Sequence, residues 1–162
     1  VVIVAATGND NTSDPGYPAA YPEVLAVSAT DAAQERAFFS NYGEYIDVVA
    51  PGVNIASTYP GNLYAALSGT SMASPHVAAL AAMIRSVNPQ LSNQEVMDII
   101  KTTAQDLGDQ GKDDYFGYGQ INVQRALEYA IYGQEKVQME SSAGWQNWLS
   151  EKLESIRKFF GG

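Results

Sequence analysis

Residues 67–83 are the stretch that most constrains the fold, because they read L-S-G-T-S-M-A-S-P-H-V-A-A-L-A-A-M. A few small polar residues lead into a segment of alanine, valine, leucine and methionine that has no polar face. A helix that is apolar on all sides belongs in a protein interior, so we predict a buried helix over residues 70–87. We expect Pro75 in its first turn, where backbone N–H groups have no intrahelical partner to lose. Ser71 then lies at the positive end of the helix dipole, which suits a nucleophile that faces developing negative charge.

The ten residues at positions 69–78, G-T-S-M-A-S-P-H-V-A, resemble the active-site serine segment of the subtilases, the subtilisin-like serine proteases. Ala79 is a mild departure, because glycine is more common at that position in the family. The resemblance implies an α/β fold with three layers and a mostly parallel central sheet, of which this chain holds the C-terminal part. It also implies that Ser71 is the nucleophile and that Met72 lies beside it at the edge of the site.

A second segment, residues 6–9, follows a strand that we predict over residues 1–6 and reads A-T-G-N. It resembles the subtilase segment whose asparagine donates a hydrogen bond to the oxyanion, which makes Asn9 the candidate donor beside the backbone N–H of Ser71. By the same resemblance, other residues line the substrate cleft. Ala6, Thr7 and Gly8 form one wall of the pocket for the residue before the cleaved bond, Gly16 lies near its floor, and Leu67 and Ser68 flank the leaving-group side.

The resemblance also implies a weak cation site, although the chemistry itself requires no cofactor. Its ligands would be the carbonyl groups of Ala19, Tyr21 and Val24 and the carboxylate of Asp47. A second acid that some relatives use falls on Tyr45 in this sequence. A structural Ca²⁺ and a proline-ordered turn without a metal are therefore equal alternatives here.

The composition restricts the classes of function that the chain can have. A net charge of −9 argues against nucleic-acid binding, which requires a basic surface. The chain has no cysteine, which excludes a cysteine nucleophile, disulfides and thiolate metal sites within it. No run of about 18 apolar residues is present, so we predict no membrane span. The aspartates of residues 106–114 lack the spacing of an EF-hand loop, and we interpret that segment as structural.

We predict three parts in the chain: a portion of a catalytic domain over residues 1–132, a polar linker over 133–144 and an amphipathic helix over 145–160. Because the first strand is typical of a buried parallel strand, we expect the chain to be the C-terminal portion of a longer protein. Further strands are predicted over residues 24–29, 45–52, 55–59 and 62–67, and further helices over residues 93–103 and 121–131.

His76 is the sole histidine, but it follows Ser71 by five residues and so points about 140° away around the helix axis. We therefore predict that it is not the catalytic base. The resemblance implies that the base histidine and its aspartate precede this chain. The leading hypothesis is a serine endopeptidase that works through an acyl-enzyme. The alternatives are a non-catalytic binding or regulatory module, and a peptide ligase or macrocyclase.

The endopeptidase hypothesis also predicts the partners of the protein. They are polypeptide substrates, the upstream half of the same catalytic domain, and a propeptide or protein inhibitor. It implies secretion to the extracellular space, with an intracellular bacterial location as the alternative.

Overall fold

The structure, a computed structural model, describes residues 1–133. Most of the predicted linker and the whole helix predicted over residues 145–160 lie outside the described residues. The strands are β1 (Ile3–Ala6), β2 (Val24–Thr30), β3 (Val48–Pro51), β4 (Ile55–Tyr59) and β5 (Leu63–Leu67). The helices are α1 (Thr70–Val87), α2 (Asn93–Thr102) and α3 (Val123–Tyr132).

The first three strands form a parallel sheet in the order β1-β2-β3. Every residue of β2 is buried, as expected for a central parallel strand rich in valine and alanine. Helix α1 packs against all three strands, and α2 and α3 pack against α1. A parallel sheet covered by helices confirms the predicted α/β class.

Strand β1 lies at the edge of this sheet within the described residues. Its first residue, Ile3, is 51% exposed, and only Ala5 of the strand is buried. The expectation of a fully buried strand over residues 1–6 is therefore wrong for this chain, because no described strand covers the outer edge of β1.

Strands β4 and β5 form a separate antiparallel hairpin with Ile55 opposite Leu67 and Tyr59 opposite Leu63. The hairpin turns at residues 60–62, as the Pro-Gly-Asn sequence predicts. Its second strand ends two residues before Gly69, whose N–H donates to the carbonyl of Gly52 at 2.8 Å. The hairpin therefore leads the chain directly into the start of α1.

Helix α1 spans the predicted residues 70–87, but it is not buried on all sides. Val77, Leu80 and Ile84 lie in the core between the sheet and the other helices. The opposite face is exposed in the described residues and includes Ser71, Pro75, Ala78, Ala79, Ala82, Met83 and Ser86.

The placement of Pro75 also differs from the prediction. Pro75 is the sixth residue of α1, within the second turn. Its ring nitrogen has no hydrogen to donate to the carbonyl of Ser71, the acceptor one turn earlier. This leaves the backbone carbonyl of the candidate nucleophile without its usual helical partner.

The remaining two helices begin with side-chain caps. Ser92 caps α2 through a capping box, in which its hydroxyl accepts from the N–H of Glu95 and the Glu95 carboxylate accepts from the Ser92 N–H. Asn122 caps α3 by accepting from the N–H of Arg125. Among residues 1–133, no helix is long and apolar enough to cross a membrane.

The aspartate-rich loop of residues 106–114 binds its own backbone. Asp106 accepts from the N–H of Gly111, and Asp113 accepts from the N–H groups of Tyr115 and Phe116. Side chains that satisfy backbone donors in this way order a loop without a metal. In the described part of the chain, no group of three or more His, Cys, Asp or Glu side chains is arranged to hold a metal ion.

Candidate active site

Asn9 provides the N-terminal cap of α1, although it lies 61 residues earlier in the chain. The N-cap residue itself, Gly69, has no side chain to cap with. The Asn9 Oδ1 atom instead accepts from the backbone N–H of Thr70 at 2.9 Å and from the Thr70 hydroxyl at 3.0 Å. Since Oδ1 is committed to Thr70, the Nδ2 group of Asn9 carries the N–H bonds that are left for a ligand.

Thr70 joins the two catalytic candidates and was missed by the sequence analysis. Its side chain is fully buried, and its hydroxyl accepts from the N–H of Gly8 at 3.2 Å while donating to Asn9. The local signal was a β-branched hydroxyl residue at the first position of an apolar helix, beside Ser71. Thr70 therefore fixes the segment of Asn9 to the start of α1.

Ser71 is the second residue of α1, and its side chain is exposed. The N–H groups of the first helical turn have no intrahelical acceptor, so the Ser71 N–H is available to an anion. The helix dipole adds partial positive charge at the same end. The hydrogen bonds of Thr70 thus hold two segments together. One is the start of α1, which carries the hydroxyl and the N–H of Ser71, and the other carries the side-chain amide of Asn9.

Asn41 is a second residue that the sequence analysis missed. It is 4% exposed, and its side chain spans the loop that contains Asn9. Its Nδ2 group donates to the Thr7 carbonyl at 2.9 Å, and its Oδ1 atom accepts from the N–H groups of Asp10 at 2.8 Å and Thr12 at 3.4 Å. Asn41 therefore holds the chain on both sides of Asn9.

Gly8 shows why this loop requires a glycine. Its φ angle is +108°, and a Cβ atom there would lie 2.5 Å from the Nδ2 atom of Asn41. A side chain at this position would strain the backbone and collide with the residue that holds the loop.

The predicted pocket wall is formed in part by backbone and not by side chains. The Thr7 side chain turns into the core, where its hydroxyl lies 2.9 Å from that of Ser28. The carbonyl oxygen of Thr7 faces Gly16, and a Cβ atom added to Gly16 would lie 3.2 Å from that oxygen. The structure thus brings the backbone of Thr7 next to Gly16, and the role of these residues in a substrate pocket stays a prediction.

Leu67, Ser71 and Met72 line one groove of about 420 Å³ between the β4–β5 hairpin and α1. Ser68 is not among its lining residues, and its hydroxyl instead accepts from the N–H of Asn54 at 2.9 Å. Ser68 thus holds the chain just before the hairpin, and its expected place on the leaving-group side stays a prediction.

His76 also lines this groove, but its Nδ1 atom lies 2.9 Å from the backbone carbonyl of Met72. Because a carbonyl oxygen only accepts, Nδ1 is the protonated nitrogen in this contact. The ring is thus bonded to its own helix, as expected for a histidine that is not paired with Ser71.

Three of the four predicted cation ligands, Tyr21, Val24 and Asp47, line a second cavity of about 520 Å³. Ala19 is buried and does not line it. The Asp47 Oδ2 atom accepts from the N–H of Ala26 at 2.9 Å. Burial raises the pKa of the Asp47 carboxyl, and this hydrogen bond opposes the shift.

Comparison with known proteins places this geometry in a family. The subtilase family model matches residues 1–119. The chain is 48% identical to subtilisin BL of Lederbergia lenta over 126 residues, which cover 78% of the chain and 46% of that protein. It is also 48% identical to subtilisin of Bacillus pumilus over 132 residues, which cover 79% of the chain and 47% of that protein.

Among solved structures, the fold is similar to that of the prenylagaramide maturation protease PagA, with a TM-score of 0.73 and 32% identity. The match covers 80% of this chain and 50% of PagA. The chain thus spans about half the length of the relatives that it matches. The family match extends over both the Asn9 segment and the start of α1, and the chain belongs to the subtilase family of serine proteases.

Proposed function

We propose that the protein containing this chain is a subtilisin-type serine endopeptidase, with Ser71 as its nucleophile and Asn9 in its oxyanion hole. The observation that carries the proposal is the orientation of the Asn9 amide. Its Oδ1 atom is held by the N–H and hydroxyl of Thr70, so its donor group is the one left for substrate. A neutral donor fixed before the reaction begins is what stabilises an oxyanion at no reorganisation cost.

In the proposed reaction, a base removes the proton of the Ser71 hydroxyl as Oγ attacks the scissile carbonyl carbon. The carbonyl oxygen becomes an oxyanion, to which Asn9 Nδ2 and the Ser71 N–H donate. The C–N bond then breaks, and the amine leaves with the proton that the base returns. Water, deprotonated by the same base, attacks the resulting ester and releases the acid and free Ser71.

We propose that the base histidine and its aspartate come from a part of the protein that precedes Val1. His76 is bonded through Nδ1 to the carbonyl of Met72, which supports a role other than that of the base. The exposed apolar face of α1 and the groove beside Ser71 offer a surface against which such a part would pack. The same part would complete the substrate cleft.

Polypeptides are the proposed substrates, with large apolar side chains preferred before the cleaved bond. The small residues Ala6, Gly8 and Gly16 support this preference, since they leave the pocket wide. A propeptide or protein inhibitor would occupy the same cleft, and we propose an extracellular location for the enzyme.

The first test is covalent labelling of the complete protein with a fluorophosphonate, followed by mass mapping of the adduct. The endopeptidase proposal expects the label on Ser71. The non-catalytic alternative expects no label, and an adduct on another serine would overturn the assignment of the nucleophile.

The second test isolates Asn9. We expect Asn9→Leu to lower kcat by roughly 10²–10³ with little change in KM, the loss known for the corresponding donor of a subtilisin, a member of this family. Asn88 is a matched control, because its side chain donates to the Ala130 carbonyl in another part of the molecule. Asn88→Leu should leave kcat unchanged. A raised KM with unchanged kcat in Asn9→Leu would instead place Asn9 in ground-state binding.

A peptide ligase would form the same acyl-enzyme and pass the acyl group to an amine instead of water. The similarity to a maturation protease makes precursor peptides a substrate class to include in this comparison. Mass spectrometry of the products distinguishes the two reactions, since hydrolysis yields a free carboxylate and ligation yields a new amide. A predominance of amide products would favour the ligase or macrocyclase.

A further inference from the structure

The cavity beside Asp47 does not fit the metal ion that the family resemblance implies. Tyr45 stands where the resemblance implies a second acid in some relatives, and its hydroxyl points to the carbonyl of Asp14 at 3.5 Å. The Tyr21 carbonyl accepts from the N–H of Val24 at 3.0 Å, so it is engaged in a turn. The Asp47 carboxylate is partly used by the N–H of Ala26.

A positive charge from the protein itself lies at the same cavity. Lys112 lines it together with Asp47, and its ammonium group donates to the carbonyl of Glu44 at 2.7 Å. The ammonium also lies 5.7 Å from the centre of the Tyr118 ring, within the range of a cation–π contact. Lys112 thus has an acceptor of the kind that a metal ion would use, a backbone carbonyl oxygen.

We infer that the ammonium group of Lys112 is the resident cation of this cavity and replaces a bound metal ion. A lysine ammonium is a compact point charge with three donors, so it can satisfy carbonyl oxygens much as a small cation does. Unlike a metal ion, the ammonium group is covalently attached to the chain and does not have to bind from solution.

Hydrogen bonds hold the loop that carries Lys112 beside the cavity. The carboxylate of Asp106 accepts from the N–H of Gly111, the residue before Lys112. The carbonyl of Asp114, two residues after Lys112, accepts from the N–H of Gly43 at 2.6 Å. Lys112 and Asp114 therefore join the loop of residues 106–114 to residues 43–44, which lie beside the cavity.

The charges around the cavity support the same assignment. Its lining residues include two acids, Glu44 and Asp47, and one base, Lys112. Lys101 acts on Asp47 as well, and both lysines oppose the rise in its pKa that burial causes. A metal ion entering this cavity would meet the positive charge of Lys112, and like charges at short range repel.

The test measures thermal unfolding of the complete protein at constant ionic strength in choline chloride, NaCl or CaCl₂, after treatment with a chelator. Na⁺ and Ca²⁺ will shift the unfolding midpoint of the parent protein by some amount. We expect the substitution Asp47→Asn to leave that shift unchanged. The same should hold for Lys112→Arg, which keeps the charge. This comparison removes the contribution of metal sites elsewhere in the protein.

For Lys112→Gln, we expect a lower unfolding midpoint in choline and a new stabilisation by Na⁺ or Ca²⁺. This stabilisation should appear at cation concentrations at which the parent shows no response that Asp47→Asn removes, because a neighbouring unit charge has been removed. Adding Asp47→Asn to Lys112→Gln should abolish the new response.

Two results would overturn the inference. One is a cation response of the parent protein that Asp47→Asn removes, which would show a metal site already in use. The other is a response of Lys112→Gln identical to that of the parent. If Lys112→Gln does not fold, the comparison of the parent with Asp47→Asn still decides whether a metal ion binds here.

Discussion

Asn41 is the residue whose removal best tests how the segment of Asn9, the proposed oxyanion-hole donor, is held. Asn41→Ala deletes the donor to the Thr7 carbonyl and the acceptor for the N–H groups of Asp10 and Thr12. Thr7 is buried, so its carbonyl would lose a partner that water does not readily replace, at about 1–3 kcal/mol. The N–H of Asp10 is nearer to solvent and adds about 1 kcal/mol. We expect the free energy of unfolding to fall by about 2–4 kcal/mol in total.

The same change should reduce activity beyond its effect on folding. Asn41 holds the chain on both sides of Asn9, so its loss frees the Asn9 amide to move relative to the Ser71 hydroxyl. A small misplacement of a catalytic donor is costly, and we expect kcat to fall by about tenfold or more with KM little changed. Denaturant unfolding and steady-state kinetics of the complete protein measure the two effects separately.

Asn88→Ala provides the control for this experiment, since Asn88 is a half-buried asparagine that, like Asn41, donates to a backbone carbonyl, in this case that of Ala130. It should lower stability by about 1 kcal/mol and leave kcat unchanged. If Asn41→Ala loses stability but keeps the kcat of the Asn88→Ala control, then Thr70 alone positions Asn9 and our reasoning on Asn41 is wrong.

Two further predictions concern the helix starts. Thr70→Val keeps the shape but removes the hydroxyl bound to Gly8 and Asn9, so we expect a loss of about 1–3 kcal/mol in unfolding free energy and a lower kcat. Thr70→Ser keeps the hydroxyl and should retain both the stability and the kcat. A fully active valine variant would contradict the proposed role. The Glu95 carboxylate accepts hydrogen bonds from the backbone N–H and the hydroxyl of Ser92. These bonds lower the pKa of Glu95 below its usual value. Its stabilising effect is therefore present above the ordinary pKa of Glu95 and is lost as the pH falls through the lowered value. In acid titrations followed by thermal unfolding, Glu95→Gln should remove this part of the pH dependence, and an unchanged profile would contradict it.

Local sequence signals predicted the elements that depend on neighbouring residues. The bounds of α1, the hairpin turn at residues 60–62 and the capping box at Ser92 all follow from patterns within a few positions. The resemblance at residues 69–78 identified the family, which the comparisons confirm. These features are decided by backbone propensity, capping and turn chemistry, which act at short range.

The supporting contacts of the site were not predictable in the same way. Asn41 reaches Thr7 over 34 positions, and Lys112 reaches Glu44 over 68. Each joins two loops whose proximity depends on the whole sheet and not on the residues beside them. An asparagine in Ser-Asn-Tyr and a lysine in an aspartate-rich loop have the composition of ordinary surface turns, so no local pattern predicts the contacts that either residue makes.

The exposed face of α1 leads to a prediction about whether another part of the protein covers it. An all-apolar helix was expected to be buried on every side, yet Ala79 is exposed and lines the groove that contains Ser71. If a preceding part of the protein covers this face, Ala79→Arg in the complete protein buries an unpaired charge, which costs several kcal/mol. Gln94→Arg, at an exposed position of α2, should change the free energy of unfolding by less than about 0.5 kcal/mol. Denaturant unfolding of both variants decides the matter, because equal tolerance of the two arginines would mean that the apolar face of α1 stays in water.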